Sequence, residues 1–438
     1  MTCLSWSGVP RRWLLLGLTC AALLTASGAA ALLVGTGSAA AARPAAAAAA
    51  SGSPWDASWT ASPQAPTTVI SNPANAGFND QTIRNIVFTS IGGNELRIRL
   101  SNTFGTTALH VGRVTVGIEL TAAQLVPGTV HPVTFGGRAA VTIPDGAEAT
   151  SDPVSMAVTP DEDLAVSVYV PVATGPATYH LTAQQTNYVA SGNHAFDVSP
   201  ATYTTTAPSW YLLDGVDVRN ARAAGSVVAF GDSITDGANS QVGANDRWPN
   251  YLFRRLQAAL GAAAPSVIDE GISGNRVLND SPCFGVSALA RFDRDVLSQS
   301  GVKDVIVLEG INDIGFSQTP NTGCSVPNTN VTAAQIEQGY EQLIAMAHAH
   351  GLKIFGGTLT PFRGAGYWSG MAEAKREAVN NWIETSRAFD GVIDFAKAVA
   401  DPFNPQYFDP AYNSGDNLHP NDAGYQAMAS AINLALLK

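Results

Sequence analysis

The sequence predicts an α/β protein. Residues 225–438 read as a parallel-sheet α/β domain, preceded over 55–218 by an all-β domain of sandwich or jelly-roll type. Three observations carry this. From Val227 onward, short apolar runs alternate with longer segments whose apolar residues recur every three or four positions, as in strands alternating with helices. Before Val218 there are only short strand-like runs, punctuated by Gly, Pro, Asn and Asp, and no convincing helix of three turns. Finally, the apolar run Val227–Phe230 empties directly into Gly231-Asp232-Ser233, a strand ending where open α/β sheets bind ligands.

The chain begins with a segment that reads as an export signal over 1–42. Arg11-Arg12 precede the apolar run Trp13–Leu33, and Ala39–Ala42 offer small residues for cleavage. The alternative is a membrane anchor, which the Ala-rich, Gly-interrupted run disfavours because it is only weakly hydrophobic. The arginine pair raises the twin-arginine route, although Pro10 before it is a poor match. Cys20 follows Thr19, larger than the residue usual before a lipidated cysteine. Residues 43–54, with the low-complexity run Ala45–Ser53, form a linker. After cleavage the expected product is secreted, with no stable membrane insertion.

Cys3 and Cys20 leave with the signal, so Cys283 and Cys324 remain as an even pair in an oxidising compartment. A Cys283–Cys324 disulfide is expected, and with no His/Cys cluster beside them a zinc site is not. Net charge is −11, and no basic cluster interrupts it. That balance argues against nucleic acid and anionic membranes as partners. With 438 residues, of which 46% are hydrophobic and 13% charged, the chain can bury two or three cores.

In the β-rich segment, strands are expected at Arg84–Ser90, Leu96–Ser101, Val111–Leu120, Ala139–Ile143, Leu164–Val170 and Tyr179–Thr182. Leu96–Ser101 alternates apolar and charged residues, the pattern of a half-buried strand. Asp214–Ala224 connects to the next part. There the expected order is strand Val227–Phe230, helix Asn245–Leu260, strand Val267–Asp269, helix Val286–Gln299 and strand Val305–Leu308. Helix Ala333–His350, strand Lys353–Thr358, helix Ala372–Ala388, strand Gly391–Phe395 and helix Asp422–Leu436 follow. Pro249 starts the first helix and Gly261 stops it, with Trp248, Tyr251, Leu252, Leu256 and Leu260 on one face. His348 and His350 are two residues apart at a helix end, a placement that favours the helix dipole rather than a metal.

In a parallel sheet the loops after these strands share one edge. They carry Gly231-Asp232-Ser233, Gly271-Ile272-Ser273-Gly274-Asn275-Arg276, Gly310-Ile311-Asn312-Asp313 and Asp416-Asn417-Leu418-His419. A serine, a histidine, a carboxylate, an asparagine amide and exposed glycine backbone are the parts of nucleophilic acyl transfer. Serine needs a base to take its proton, which suits His419, and Asp416 on the same loop is placed to orient the imidazole. The Ser233 and Gly274 backbone N–H groups and the Asn312 amide would hold the oxyanion. Glycine at 274 would leave the backbone open to substrate. No step needs a metal or cofactor.

The four segments, in this order, resemble the SGNH hydrolases, or GDSL esterases/lipases, over about half the chain. The four residues that name that family match Ser233, Gly274, Asn312 and His419, and its DxxH motif matches Asp416 and His419. Ile234 stands where the family's first block has leucine. The resemblance implies a flavodoxin-like three-layer α/β/α domain with strand order 2-1-3-4-5. In that order the loops bearing Cys283 and Cys324 can meet over the crevice. It also implies a serine esterase or acylhydrolase whose substrate is a small-molecule or polysaccharide ester, on acylated carbohydrate or lipid. With its upstream β-rich region the chain looks like secreted GDSL hydrolases of actinobacterial type. The alternative is a catalytically silent carbohydrate-binding protein on the same scaffold, which the intact residue set disfavours. Gly-x-Ser-x-Gly is absent, so the nucleophile elbow of α/β-hydrolases is not expected.

Overall fold

The computed structural model describes residues 55–220 and 222–437. The expected signal, the linker, Cys3 and Cys20 lie outside them. Five parallel strands, β1 (Ser226–Gly231), β2 (Ser266–Gly271), β3 (Val302–Leu308), β4 (Lys353–Gly357) and β5 (Gly391–Ile393), form one sheet in the order β2-β1-β3-β4-β5. All six residues of central β1 are buried, which is why its sequence is an unbroken apolar run rather than an alternation.

Helices α1 (Ser233–Asp236), α2 (Trp248–Leu260), α3 (Ala288–Phe292), α4 (Ile311–Phe316), α5 (Ala333–Ala349), α6 (Gly370–Thr385), α7 (Phe395–Val399) and α8 (Asp422–Ala431) fill the crossovers and the C-terminus. α5 begins where its sequence says: Thr332 Oγ1 accepts from the Gln335 N–H at 3.2 Å, and Gln335 Oε1 accepts from the Thr332 N–H at 2.9 Å. In α2, Trp248, Leu252, Phe253 and Leu256 are buried, and Tyr251 and Leu260 sit at the edge of that face. The helix expected over Val286–Gln299 is broken. α3 stops at Phe292 and continues as a π-helical turn, Asp293–Leu297, which buries Asp295 and leaves it 3.1 Å from the equally buried Arg291. Periodicity alone does not register one widened turn. Two short helices, α1 and α4, stand where loops were expected.

The β-rich part is built on two large antiparallel sheets, with two further two-stranded pairs, Leu109–Val111 with Val141–Ile143 and Tyr179–His180 with Trp210–Tyr211. One large sheet joins Asp56–Thr60, Leu213–Val218, Gly93–Ser101 and Val154–Val158 in that order, with Glu148–Thr150 also on Gly93–Ser101. The other has seven strands, with Gln81–Thr89 and Glu162–Val170 at its centre. The alternation of Gly93–Ser101 is real, with Leu96, Ile98 and Leu100 buried. Its charged face, however, is only partly open to water. Arg97 donates to Ser300 Oγ at 3.0 Å and Arg99 to Gln299 Oε1 at 2.6 Å, both on the segment just before β3. The strand Asp56–Thr60 is wholly buried, and the Ala57 N–H donates to the Ser300 carbonyl at 2.9 Å. One apolar core therefore runs through both parts, from Ala57 to Leu437. No described helix is long and apolar enough to cross a membrane.

Candidate active site

β1 ends at Gly231, where an added Cβ would lie 2.2 Å from the Leu308 carbonyl oxygen, so no larger residue passes between β1 and β3. Asp232 then caps α1: its Oδ1 accepts from the Ile234 N–H at 3.0 Å. Ser233 is thereby the first helical residue, and its N–H is one of the donors a helix start leaves free. Ser233 Oγ lies 2.8 Å from His419 Nε2, and His419 Nδ1 lies 2.6 Å from Asp416 Oδ2. A carboxylate only accepts, so Nδ1 carries the hydrogen and the Nε2 lone pair faces the serine hydroxyl.

Asp416 is held by its own loop. Its Oδ1 accepts from the Leu418 and His419 N–H groups, both at 2.9 Å, and from Ser414 Oγ at 3.1 Å. Asn239 Nδ2, from the loop after α1, donates to Oδ2 at 3.0 Å. Partial burial pushes this carboxyl up, but the hydrogen bonds from the His419 side chain and from the His419 and Leu418 backbone outweigh it and hold it well below the usual carboxylate range. Asp416 is thus an anion whenever the imidazole needs one.

The second loop turns tightly after Ile272: the Asn275 N–H donates to the Ile272 carbonyl at 3.0 Å, with Ser273 and Gly274 between. Gly274 has φ +80°, the left-handed geometry the third position of such a turn requires. A Cβ here would also lie 2.4 Å from the Phe284 ring. The reason for glycine is therefore the turn and the close-packed ring, where the sequence pointed to open access for substrate. Asn312, on α4, is fixed at both ends of its amide. Nδ2 donates to the Asn275 carbonyl at 3.0 Å, and the Tyr367 hydroxyl donates to Oδ1 at 3.2 Å. Asp313 beside it ties the second loop to the third, accepting from the Val277 and Leu278 N–H groups at 2.7 and 3.1 Å.

All five predicted side chains or backbone groups thus stand on one edge of the sheet, Ser233, His419 and Asp416 in direct contact and Gly274 and Asn312 joined through Asn275. Sequence reasoning missed Tyr367, Asn239 and Asp313. Asp313 was adjacent to a chosen residue, whereas Tyr367 and Asn239 come from loops whose sequence carries no sign of their target. His348 and His350 lie elsewhere, on Asp390 (2.9 Å) and on the Met346 carbonyl (2.9 Å).

Cys283 and Cys324 are bonded, with Cα atoms 5.1 Å apart. Cys283 precedes Phe284, whose ring stacks on Phe316 at 5.8 Å; Phe316 in turn meets Tyr367 edge-on at 6.0 Å. The disulfide therefore anchors a half-exposed aromatic wall beside Gly274 and Asn312. Its closed loop spans 41 residues of separation, for which chain entropy gives about 4 kcal/mol. The Cys283→Ser/Cys324→Ser double variant is expected to melt several degrees below wild type and to lose part of its turnover. Unchanged melting and turnover in that variant, checked by calorimetry and ester hydrolysis, would count against both roles.

Carboxylates crowd beneath the serine. Burial pushes Asp232 up to about 7, Asp269 up to about 7 and Glu270 up to about 8, and raises Glu309 well above its ordinary value. Between about pH 4 and pH 8 the folded chain thus holds protons that the unfolded chain has released. Their stabilisation is fully present below pH 4 and is lost as pH rises through 7–8. The melting temperature is expected to be higher at pH 5.5 than at pH 8.5, which a calorimetric pH series checks.

Residues 229–427 match the family model described as "GDSL-like Lipase/Acylhydrolase family". No curated protein matches the chain at a significant level. Among solved structures, it is similar to an α/β hydrolase enzyme from the metagenome of Lake Arreo, Spain, at 23% identity and TM-score 0.38, over 49% of this chain and 95% of that one. It is also similar to an acetyl xylan esterase from Geobacillus stearothermophilus (23% identity, TM-score 0.36, 47% of this chain, 91% of that one). A third is the lipase/acylhydrolase from Enterococcus faecalis (20% identity, TM-score 0.35, 47% and 92%). Residues 229–427 thus form a region of GDSL/SGNH hydrolase type, and the chain is a serine-type ester hydrolase.

Proposed function

We propose that the chain hydrolyses carboxylic esters in two half-reactions through an acyl-enzyme on Ser233. His419 Nε2 takes the hydroxyl proton as Ser233 Oγ attacks the ester carbonyl carbon. The carbonyl oxygen becomes an oxyanion facing the Ser233 and Gly274 N–H groups and the second N–H of Asn312 Nδ2. Collapse breaks the bond to the alcohol, which leaves with the proton from His419. Water, deprotonated by the same imidazole, then attacks the acyl carbon; the bond to Ser233 Oγ breaks, the serine takes the proton back from His419, and the acid leaves. Asp416 keeps Nδ1 protonated and stabilises the imidazolium.

The observation that carries this reading is the line of contacts from Ser233 Oγ to His419 Nε2 (2.8 Å) and from Nδ1 to Asp416 (2.6 Å). A silent binding protein would have no use for it. The aromatic wall beside the oxyanion donors favours small acyl groups lying against Phe284 and Phe316. On the alcohol side we favour acylated carbohydrate, with lipid esters as the other arm of the test. We read the β-rich part as a sandwich of jelly-roll type that packs on the catalytic part and shapes its cleft, and the protein as exported after cleavage within 1–42. A fluorophosphonate is expected to label Ser233 alone, and p-nitrophenyl acetate, acetylated xylan and a phospholipid together rank the leaving groups. Labelling at another serine would sink the assignment.

A further inference from the structure

We propose that His180, contributed by the β-rich part, is a positioning residue for this reaction: with Asp236 it holds the Ser273–Gly274 turn that presents the Gly274 N–H. This rests on the reading of Gly274 as an oxyanion donor. Asp236 closes α1, three residues after Ser233, and is buried. Its Oδ2 accepts from the Ser273 N–H at 2.9 Å and from Ser273 Oγ at 2.6 Å. With both groups of residue 273 clamped, the peptide joining it to Gly274 has little freedom to turn. The other oxygen, Oδ1, lies 3.1 Å from His180 Nε2. One carboxylate thus joins the nucleophile's helix, the oxyanion turn and a histidine from the other architecture.

The ring of His180 is enclosed, with 3% of the residue exposed. Its Nδ1 lies 2.9 Å from the Ser62 carbonyl oxygen, so both nitrogens face groups that only accept. The geometry therefore fits the imidazolium, with a proton on each nitrogen. The other charged groups around it are Asp269 on β2 and Arg247 before α2. Arg247 Nε donates to the Asp236 carbonyl at 2.8 Å and lies 4.0 Å from Asp269. Burial alone would lower the imidazole's pKa, but Asp236 and the Ser62 carbonyl outweigh it and raise it above the ordinary value. When the ring loses a proton, one nitrogen turns a lone pair on the Ser62 carbonyl or on Asp236. The carboxylate is then free to shift, and the turn with it. Because the turn acts on the oxyanion, the loss falls on kcat rather than on substrate binding.

The test is the pH profile of kcat with p-nitrophenyl acetate for the full chain, wild type against two variants. Wild-type kcat is expected to fall on the alkaline side, as His180 deprotonates. His180→Gln keeps one donor toward Asp236 and loses the charge. It should lower kcat about tenfold at neutral pH, with KM within about twofold, and show no alkaline fall. Asp236→Asn offers an amide N–H to the neutral ring and its oxygen to Ser273, so it too should lose the alkaline fall. A flat wild-type profile, or an unchanged fall in whichever variant folds, overturns the proposal. Fluorophosphonate labelling separates the two readings: a wild type not labelled at Ser233 sinks the acyl-enzyme and this inference together, whereas a labelled wild type with an unchanged His180→Gln profile sinks this inference alone.

Discussion

Ser233→Ala is expected to fold as the wild type does and to lose at least about 10³-fold in kcat. The fold should survive because Ser233 does not hold its own helix. Asp232 supplies the cap, and the Asp232 Oδ1 bond to the Ile234 N–H does not involve the serine side chain. The hydroxyl's bond is to His419 Nε2, a ring still held by Asp416 after the change. Turnover should fail because no other group takes the nucleophile's place in line with the imidazole. The oxyanion donors and the binding wall remain, so a residue of catalysis above the water reaction should persist. The melting curve and kcat on p-nitrophenyl acetate check both halves. A variant that melts normally and turns over within tenfold of wild type would remove Ser233 as nucleophile.

The parallel sheet and its active edge were legible in the sequence because their determinants are local. β1 is buried on both faces and so reads as a bare apolar run, and Gly231-Asp232-Ser233 is strand end, cap and first helical residue, the proposed nucleophile, in succession. Asp416 and His419 are three residues apart, so one short loop builds their contact without help from the fold. What escaped depends on contacts between distant segments. Arg97 and Arg99 alternate with apolar neighbours as on a solvated strand face, yet that face meets Gln299 and Ser300. Nothing in residues 360–369 announces that the Tyr367 hydroxyl reaches Asn312. His180 likewise looks like any strand residue until it is seen against Asp236. The reason for glycine at 274, a positive φ and the Phe284 ring, needs the packed loop to be seen.

Asn312→Ala is expected to lower kcat by roughly 10²–10³ and to change KM far less, because an oxyanion donor binds the transition state and not the ester. The amide is built for that asymmetry. One hydrogen of Nδ2 goes to the Asn275 carbonyl at 3.0 Å, and the other is left for the substrate. The Asn275 carbonyl, which only accepts, fixes which end is which, and the Tyr367 hydroxyl holds the amide there by donating to Oδ1 at 3.2 Å. Tyr367→Phe should therefore lower kcat less, by about fivefold, the worth of one net hydrogen bond. Asn312→Asp should do more harm than alanine, since it turns a carboxylate oxygen toward the Asn275 carbonyl and an anion toward the developing oxyanion. The order Tyr367→Phe, Asn312→Ala, Asn312→Asp in rising loss of kcat, at nearly constant KM, is the expected result. If Asn312→Ala instead raised KM and left kcat within a few-fold of wild type, the amide would be a ground-state substrate contact, and the oxyanion would rest on the Ser233 and Gly274 N–H groups alone.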